Sequence, residues 1–260
     1  MDRKAVYMDP ALYDAIFRRK SVRKYRMDSL SSDAIEDISR YARAVEPLCP
    51  EIDVQFEFAE HGEIVNLLPV KSPHYILIFS ERKDNYLYNA GFLGQQMDLY
   101  LSAKGVGSCW LGLAKPQEQI VKGRDGLDFT IMLGFGEAAE PLHRDDVSQF
   151  KRKPMSQICF VEGEGAEELL EPVRLAPSAV NGQPWCFYGT LSELHVGREK
   201  LSPVRYPIFN RLNQIDVGIA LCHLALSAEH MGKVVKFEFF DSEKAKPPPG
   251  YNYVVTAYIE

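Results

Sequence analysis

Apolar positions recur along the chain at two spacings, and the switches between them mark the elements. Asp9-Pro10 reads as a helix start, with Asp as N-cap and Pro in the first turn. Leu12, Ala15, Ile16 and Arg19 continue it at helical spacing into FRRKSVRKYR, Phe17 to Arg26. Ser31, Ser32 and Asp33 offer caps for a second helix, in which Ile35, Ile38, Ala42 and Val45 share a face, ending before Pro47 and Pro50. VQFEFAE (Val54 to Glu60) alternates as a half-buried strand does, and HYILIFS (His74 to Ser80) is the unbroken apolar run of a central one. A connection holding Asn66, Pro69 and Pro73 lies between them. Helical spacing returns from Tyr86 to Lys104, where the small residues Ala90, Gly91 and Gly94 admit close helix packing or a flat ligand. Asp128 to Ala138, DFTIMLGFGEA, is a further apolar strand, followed by the charged RDDVSQFKRKP, Arg144 to Pro154.

The second half replays this order. Composition shifts at VEGEGAEE, Val161 to Glu168, and the chain divides near Met155 into segments 1–154 and 155–260. AEELLEPVRLAPSAVNGQPWCFYG matches DAIEDISRYARAVEPLCPEIDVQFEF as a helix, a proline-containing turn and a strand. NQIDVGIALCHLALSAEHMG matches the long helix, with LSAEHMG (Leu226 to Gly232) over LSAKGVG (Leu101 to Gly107), and YNYVVTAYIE matches FTIMLGFGEA. A repeat of about half the chain is too long for a solenoid and implies two similar lobes about a pseudo-twofold axis.

Composition narrows the function. The 260 residues are 46% hydrophobic and 25% charged, as in an ordinary globular protein. A net charge of −6 lacks the positive field that nucleic acid needs. No stretch reaches a membrane span, and MDRKAVYMDP has no apolar signal region, so the cytoplasm is the expected location. Five widely spaced cysteines, Cys49, Cys109, Cys159, Cys186 and Cys222, suit reduced thiols. Only His223 and His230 of the six histidines lie near each other, and no metal site is expected. GVGSCWLG, Gly105 to Gly112, contains a GxG, but it follows a helix instead of joining a strand to one, so a dinucleotide loop fails on context.

Two stretches carry candidate chemistry. Seven of the ten residues from Arg18 to Met27 are Arg, Lys or Ser, the densest positive charge in an acidic chain. They read either as a solvated helix end or as a phosphate site of guanidinium forks and a hydroxyl. The other stretch packs Pro177, Ser178, Asn181 and Gln183 into a polar turn before a strand. Each half keeps what its twin has lost: the first has the basic segment and the glycine-rich stretch, the second has PSAVN. One composite site between the lobes explains both losses.

RRKSVRKY, APSAVNGQPWCF, NQIDVGIALCHLALSAEHMG and KGVGSCWLG together resemble the flavin-binding signatures of the nitroreductase family. The chain as a whole is similar to the branch in which two such lobes are fused. The resemblance implies an α+β fold of two pseudo-repeated lobes, each a mostly antiparallel sheet flanked by helices, that mimics the family homodimer, so that a monomer suffices. It implies FMN, with Arg19, Lys20 and Ser21 at the phosphate, Arg23 at the flavin N1 edge, and Arg152 and Lys153 as a later basic cluster, the choice among Lys151, Arg152 and Lys153 staying open. Gly112 or Leu113 would offer a backbone N–H to flavin N5. Pro177, Ser178, Ala179 and Asn181, with Gln183 as an addition, would line the ring and ribityl chain from the opposite lobe. Lys20, inserted between Arg19 and Ser21, departs from the pattern and touches only the phosphate detail.

No catalytic dyad is visible, and none is needed where flavin N5 carries the hydride. The expected activity is FMN-dependent oxidation of NAD(P)H with ping-pong reduction of a small electron-poor acceptor such as a nitroaromatic or quinone. The alternatives are a flavin carrier or sensor without turnover, and an interaction protein with an empty groove. The connection from Ser202 to Arg211, with Tyr206 and Phe209, reads as an aromatic wall or as a loop covering the core.

Overall fold

The computed structural model describes residues 9–66, 69–122, 124, 126–161, 163–240 and 245–260. The readings of MDRKAVYM, of Glu162 in VEGEGAEE and of residues 67–68 in the Asn66 connection lie outside them. Two compact units make up the chain: residues 17–149, and the described residues up to Ile16 together with Phe150–Glu260. The sequence was divided after residue 154, with the first helix placed in the earlier lobe.

That helix, α1 (Pro10–Ile16), begins as expected, with Asp9 Oδ1 accepting the Ala11 N–H at 2.9 Å. It stops at Ile16 and does not carry Arg19. Beyond it the backbone extends, and its groups find partners on strands: Val22 N–H donates to Ser108 C=O and Arg26 N–H to Glu137 C=O, each at 2.9 Å. Arg19, Ser21 and Tyr25 form bridges with His143, Ser108 and Ala138. Interstrand bonds thus outcompete the helical spacing in this segment.

The unit of residues 17–149 runs α2 (Ser32–Ala42), β1 (Val54–Glu60), β2 (Ile64–Val65), β3 (His74–Ser80), α3 (Tyr86–Ala103), β4 (Gly107–Leu111), β5 (Lys115–Pro116), α4 (Glu118–Val121) and β6 (Asp128–Gly136). Ser31 caps α2 by accepting the Ala34 N–H, and Ile38 and Ala42 are its buried face. The sheet has the order β1-β3-β6-β4 with every pair antiparallel, while β2 and β5 pair separately. All seven residues of β3 are buried, as its unbroken apolar run requires of an inner strand. Burial of each large apolar side chain there contributes about 1.5–3 kcal/mol. In α3, 16 of 18 residues are buried, and a Cβ on Gly94 would lie 2.4 Å from Trp110 Cη2 and 2.8 Å from Ile78 Cδ1. Gly94 therefore serves helix-on-strand packing. The glycine-rich stretch after α3 is largely strand: a Cβ on Gly107 would meet Val22 at 3.0 Å, so this glycine lets the basic segment lie against β4.

The other unit adds to α1 the elements β7 (Cys159–Val161), α5 (Ala166–Arg174), β8 (Trp185–Gly189), β9 (Glu193–Glu199), α6 (Tyr206–His230), β10 (Val235–Glu238) and β11 (Tyr251–Ile259). Its sheet runs β10-β11-β9-β8-β7, antiparallel except for the β7–β8 pair. Helix α1 belongs here, with the Tyr13 and His230 rings stacked at 3.7 Å. Residues Tyr206 to Arg211, read as part of a connection, form the first turns of α6. Pro207 sits in the opening turn of that helix, where proline starts a helix and does not break it. β9 was not anticipated, although Leu194 and Val196 are buried and alternate with polar neighbours.

The two units share a strand order. In the first, the last two sheet strands before the long helix and the two after it are β1, β3, β4 and β6. In the second they are β8, β9, β10 and β11. Both sheets place them first, second, fourth, third.

Candidate functional site

In the unit of residues 17–149, the basic segment is organised by a buried carboxylate. Asp98 of α3 is fully buried and accepts Ser108 Oγ–H at 2.6 Å and Gln95 Nε2–H at 3.2 Å. Arg19, only 1% exposed, places Nε 3.0 Å from Asp98 Oδ2, but the N–H is not aimed at a hydrogen-bond acceptor, so the contact is one of charge. Arg19 Nη2 donates to Ser21 Oγ at 3.1 Å. Gln95 Oε1 in turn accepts the Trp110 indole N–H at 3.2 Å, linking α3 to β4.

Further cations gather on this pair. Arg144 donates through Nη1 to the Arg19 carbonyl, and its backbone N–H donates to Arg18 C=O at 2.8 Å. Burial lowers Arg144 to about 10, and the like charges of Arg19 and Arg23 add to this, so it stays cationic at neutral pH. Arg23 is exposed, with its backbone N–H on Glu140 Oε1 at 2.7 Å and its guanidinium 3.4 Å from Ser21 C=O. Lys20 is half-buried. Burial pushes the Cys109 thiol up, against the pull of Arg23, Arg19 and Ser21 beside it. Gly112 and Leu113 occupy the turn between β4 and β5, Gly112 half-buried and Leu113 69% exposed.

The second stretch lies in the other unit. Pro177 is buried, and the backbone from Ser178 to Gln183 turns through left-handed φ values at three residues other than glycine: 48° at Val180, 56° at Asn181 and 47° at Gln183. Such backbone persists only where its surroundings over-determine it. Arg152 Nη1 donates to Asn181 Oδ1 at 2.7 Å, and Asn181 Nδ2 donates to Lys151 C=O at 2.7 Å. Lys153 donates its N–H to Gln183 Oε1 at 2.8 Å and its Nζ to Gln183 C=O at 3.0 Å. Ser178 Oγ accepts the Gln183 N–H at 2.9 Å, and Asp216 of α6 accepts the Ala179 N–H at 3.0 Å.

Arg152 and Lys153, expected at a phosphate, thus brace the turn of their own unit. The structure joins Arg19, Ser21 and Arg23 in one group, and Arg152, Lys153, Pro177, Ser178, Ala179 and Asn181 in another. Tyr206 is exposed and Phe209 half-buried at the start of α6, with Arg205 5.4 Å above the Phe209 ring. The sequence reading missed Asp98, Arg144 and Asp216. Their signals were an aspartate inside each long apolar helix and an arginine opening the charged stretch after β6.

The sheets flanked by helices define an α+β protein of the nitroreductase-like fold. The family described as "Putative TM nitroreductase" matches residues 11–228, and the chain belongs to it. A Thermotoga maritima structure described as a putative nitroreductase shares 23% identity, covering 99% of this chain and 98% of that one, with a TM-score of 0.61. An FMN-dependent nitroreductase from Clostridium difficile R20291 covers 53% of this chain and 92% of its own at 16% identity, TM-score 0.40. A nitroreductase with bound FMN from Desulfitobacterium hafniense DCB-2 covers 57% and 100% at 14% identity, TM-score 0.42. No curated protein matches the chain.

Proposed function

We propose that this chain is an FMN-dependent NAD(P)H oxidoreductase that reduces small electron-poor acceptors, nitroaromatics or quinones, by ping-pong hydride transfer. The observation that carries this reading is the gathering of Arg23 and Arg144 on the segment of Arg19 and Ser21, with Arg19 held by the buried carboxylate Asp98. A phosphate dianion needs about two cations and several donors. The cluster offers cations toward that need: Arg23 is exposed and Lys20 half-buried, while the buried Arg19 is held by Asp98 and Ser21.

FMN, when bound, supplies reversible hydride acceptance at N5. The chain's own residues do the rest. Asp98 holds Arg19 and Ser108 in place, and Arg23 offers a cation at the N1 edge, which favours an anionic reduced ring. Gly112 or Leu113 offers a backbone N–H, and the Pro177–Asn181 turn offers its polar groups to the ring. Lys151, Arg152 and Lys153 act in this reading by bracing the turn.

The common strand order of the two units supports descent from two copies of one lobe, with one FMN per chain. Purified protein should carry the yellow flavin spectrum or regain it with FMN, bleach with NADH or NADPH, and recolour with a nitroaromatic or quinone. Titration should saturate at one FMN per chain. Protein that cannot be loaded with FMN refutes the assignment, two FMN per chain refute the single-site form, and loaded protein that neither nicotinamide reduces leaves the carrier reading.

A further inference from the structure

Asp216 has an environment that its position inside a folded core does not by itself explain. It is 4% exposed on α6; Oδ1 accepts the Ala179 N–H at 3.0 Å, and the buried Oδ2 has no hydrogen-bond partner among the described residues. Burial pushes its carboxyl up to about 8, with the Ala179 N–H as the only opposing influence and no charged side chain contributing. A carboxyl in such a place is costly, and no cation offsets it. Its one bond goes to the turn with three left-handed residues.

The other unit contains a similar contact with a carboxamide in place of the carboxyl. Asn89 of α3, fully buried, accepts the Cys49 N–H through Oδ1 at 3.0 Å, in the turn between α2 and β1, and its Nδ2 has no hydrogen-bond partner among the described residues. In each unit, then, a buried oxygen from the long helix takes one N–H of a helix-to-strand turn, α2 to β1 in one and α5 to β8 in the other. The shared feature is an acceptor oxygen, which a carboxamide and a neutral carboxyl both supply.

We propose that Asp216 is a positioning residue for the flavin-lining turn: its Oδ1 fixes Ala179 and thereby holds Ser178–Gln183 in the conformation that receives the ring, acting as an acceptor and not as a charge. This rests on the flavin reading above. With the acceptor removed, the part-buried Ala179 N–H loses its partner, and the strained turn loses the restraint that Arg152 and Lys153 do not provide, since they grip Asn181 and Gln183.

The test pairs hydrogen exchange of the segment 176–188 in flavin-free protein with the dissociation constant for FMN, read from flavin fluorescence. Asp216→Ala should speed exchange of the turn and weaken FMN binding by at least about tenfold each, the worth of one lost hydrogen bond, with β3 exchange unchanged. Asp216→Asn should restore both to within about twofold of the native protein, because it keeps the acceptor. Native exchange and affinity in Asp216→Ala, or an Asp216→Asn as impaired as the alanine variant, overturns the proposal. If Asp216→Ala does not fold, Asp216→Asn alone decides: native turn protection and affinity uphold the acceptor role, and loss of either ends it. Failure of the native protein to bind FMN would end the flavin reading, and the exchange arm, run without flavin, would still decide the clamp.

Discussion

Each unit buries one carboxyl on its long helix among the described residues, and the two are treated in opposite ways. Asp98 has the charge of the Arg19 guanidinium at 3.0 Å and two donors, the Ser108 hydroxyl at 2.6 Å and the Gln95 amide at 3.2 Å. Asp216 has the Ala179 N–H as its one hydrogen-bond partner among the described residues. In the first case, burial of a charge is offset by an opposite charge, and the pair fixes the basic segment against β4. In the second, the low-dielectric surroundings favour the neutral acid, and the carboxyl behaves as a polar but uncharged group. A buried aspartate is therefore no single signal: its neighbours decide whether it anchors a cation or holds a proton.

The same isosteric change should break this comparison with opposite signs. Asp98→Asn leaves the Arg19 charge buried against a neutral amide, and should cost about 3 kcal/mol of stability in chemical denaturation at any pH between 6 and 9. A loss under about 1 kcal/mol would mean that the pair does not anchor the segment. Asp216→Asn should be neutral at low pH and stabilising at high pH. The folded protein retains at Asp216 a proton that the unfolded chain releases near 3.8, so the stability from this group is complete below about pH 4 and lost as pH rises through about 8. The variant has no such loss, and its advantage should grow with pH to at least about 1.4 kcal/mol by pH 9, the equivalent of one pKa unit. Parallel stability curves for the two proteins from pH 5 to pH 9 would show that Asp216 is ionised throughout.

How far the sequence foretells these features depends on whether the signal is local. β1 and β3 were legible to the residue, because alternation in VQFEFAE and the unbroken run HYILIFS state burial directly. The capping of α2 was legible to within three residues, Ser31, Ser32 and Asp33, of which Ser31 is the cap. The path of Arg19 was not: its spacing from Ile16 suits a helix, while its partners Asp98 and His143 lie far along the chain and meet it in extended backbone. The start of α6 was misread because Pro203 and Pro207 both punctuate the stretch, and only the second sits in a helical first turn. PSAVN was legible as a turn before a strand. That Arg152 and Lys153 grip it could not be read, since the contact closes about thirty residues of intervening chain.

The smallest expected effect concerns the turns themselves. Residues 46 to 52 hold their shape with Pro47 and Pro50 and no left-handed residue, while the turn around Asn181 holds three. Val180 is the poorest of the three for its backbone, φ 48° and ψ 22°, because a β-branched side chain crowds the left-handed region, and at 79% exposure it gains little burial in return. Asparagine tolerates this conformation, so Val180→Asn should raise stability by about 0.5–1 kcal/mol, read as a small increase in Tm. Leu48→Asn in the proline-bearing turn should do the reverse, since Leu48 is buried and gains nothing from left-handed tolerance. If Val180→Asn gains stability but weakens FMN binding, the valine is retained for contact with the flavin. Should it gain stability at unchanged affinity, the strain belongs to the turn alone, and the hold on that turn rests on Asp216, Arg152 and Lys153.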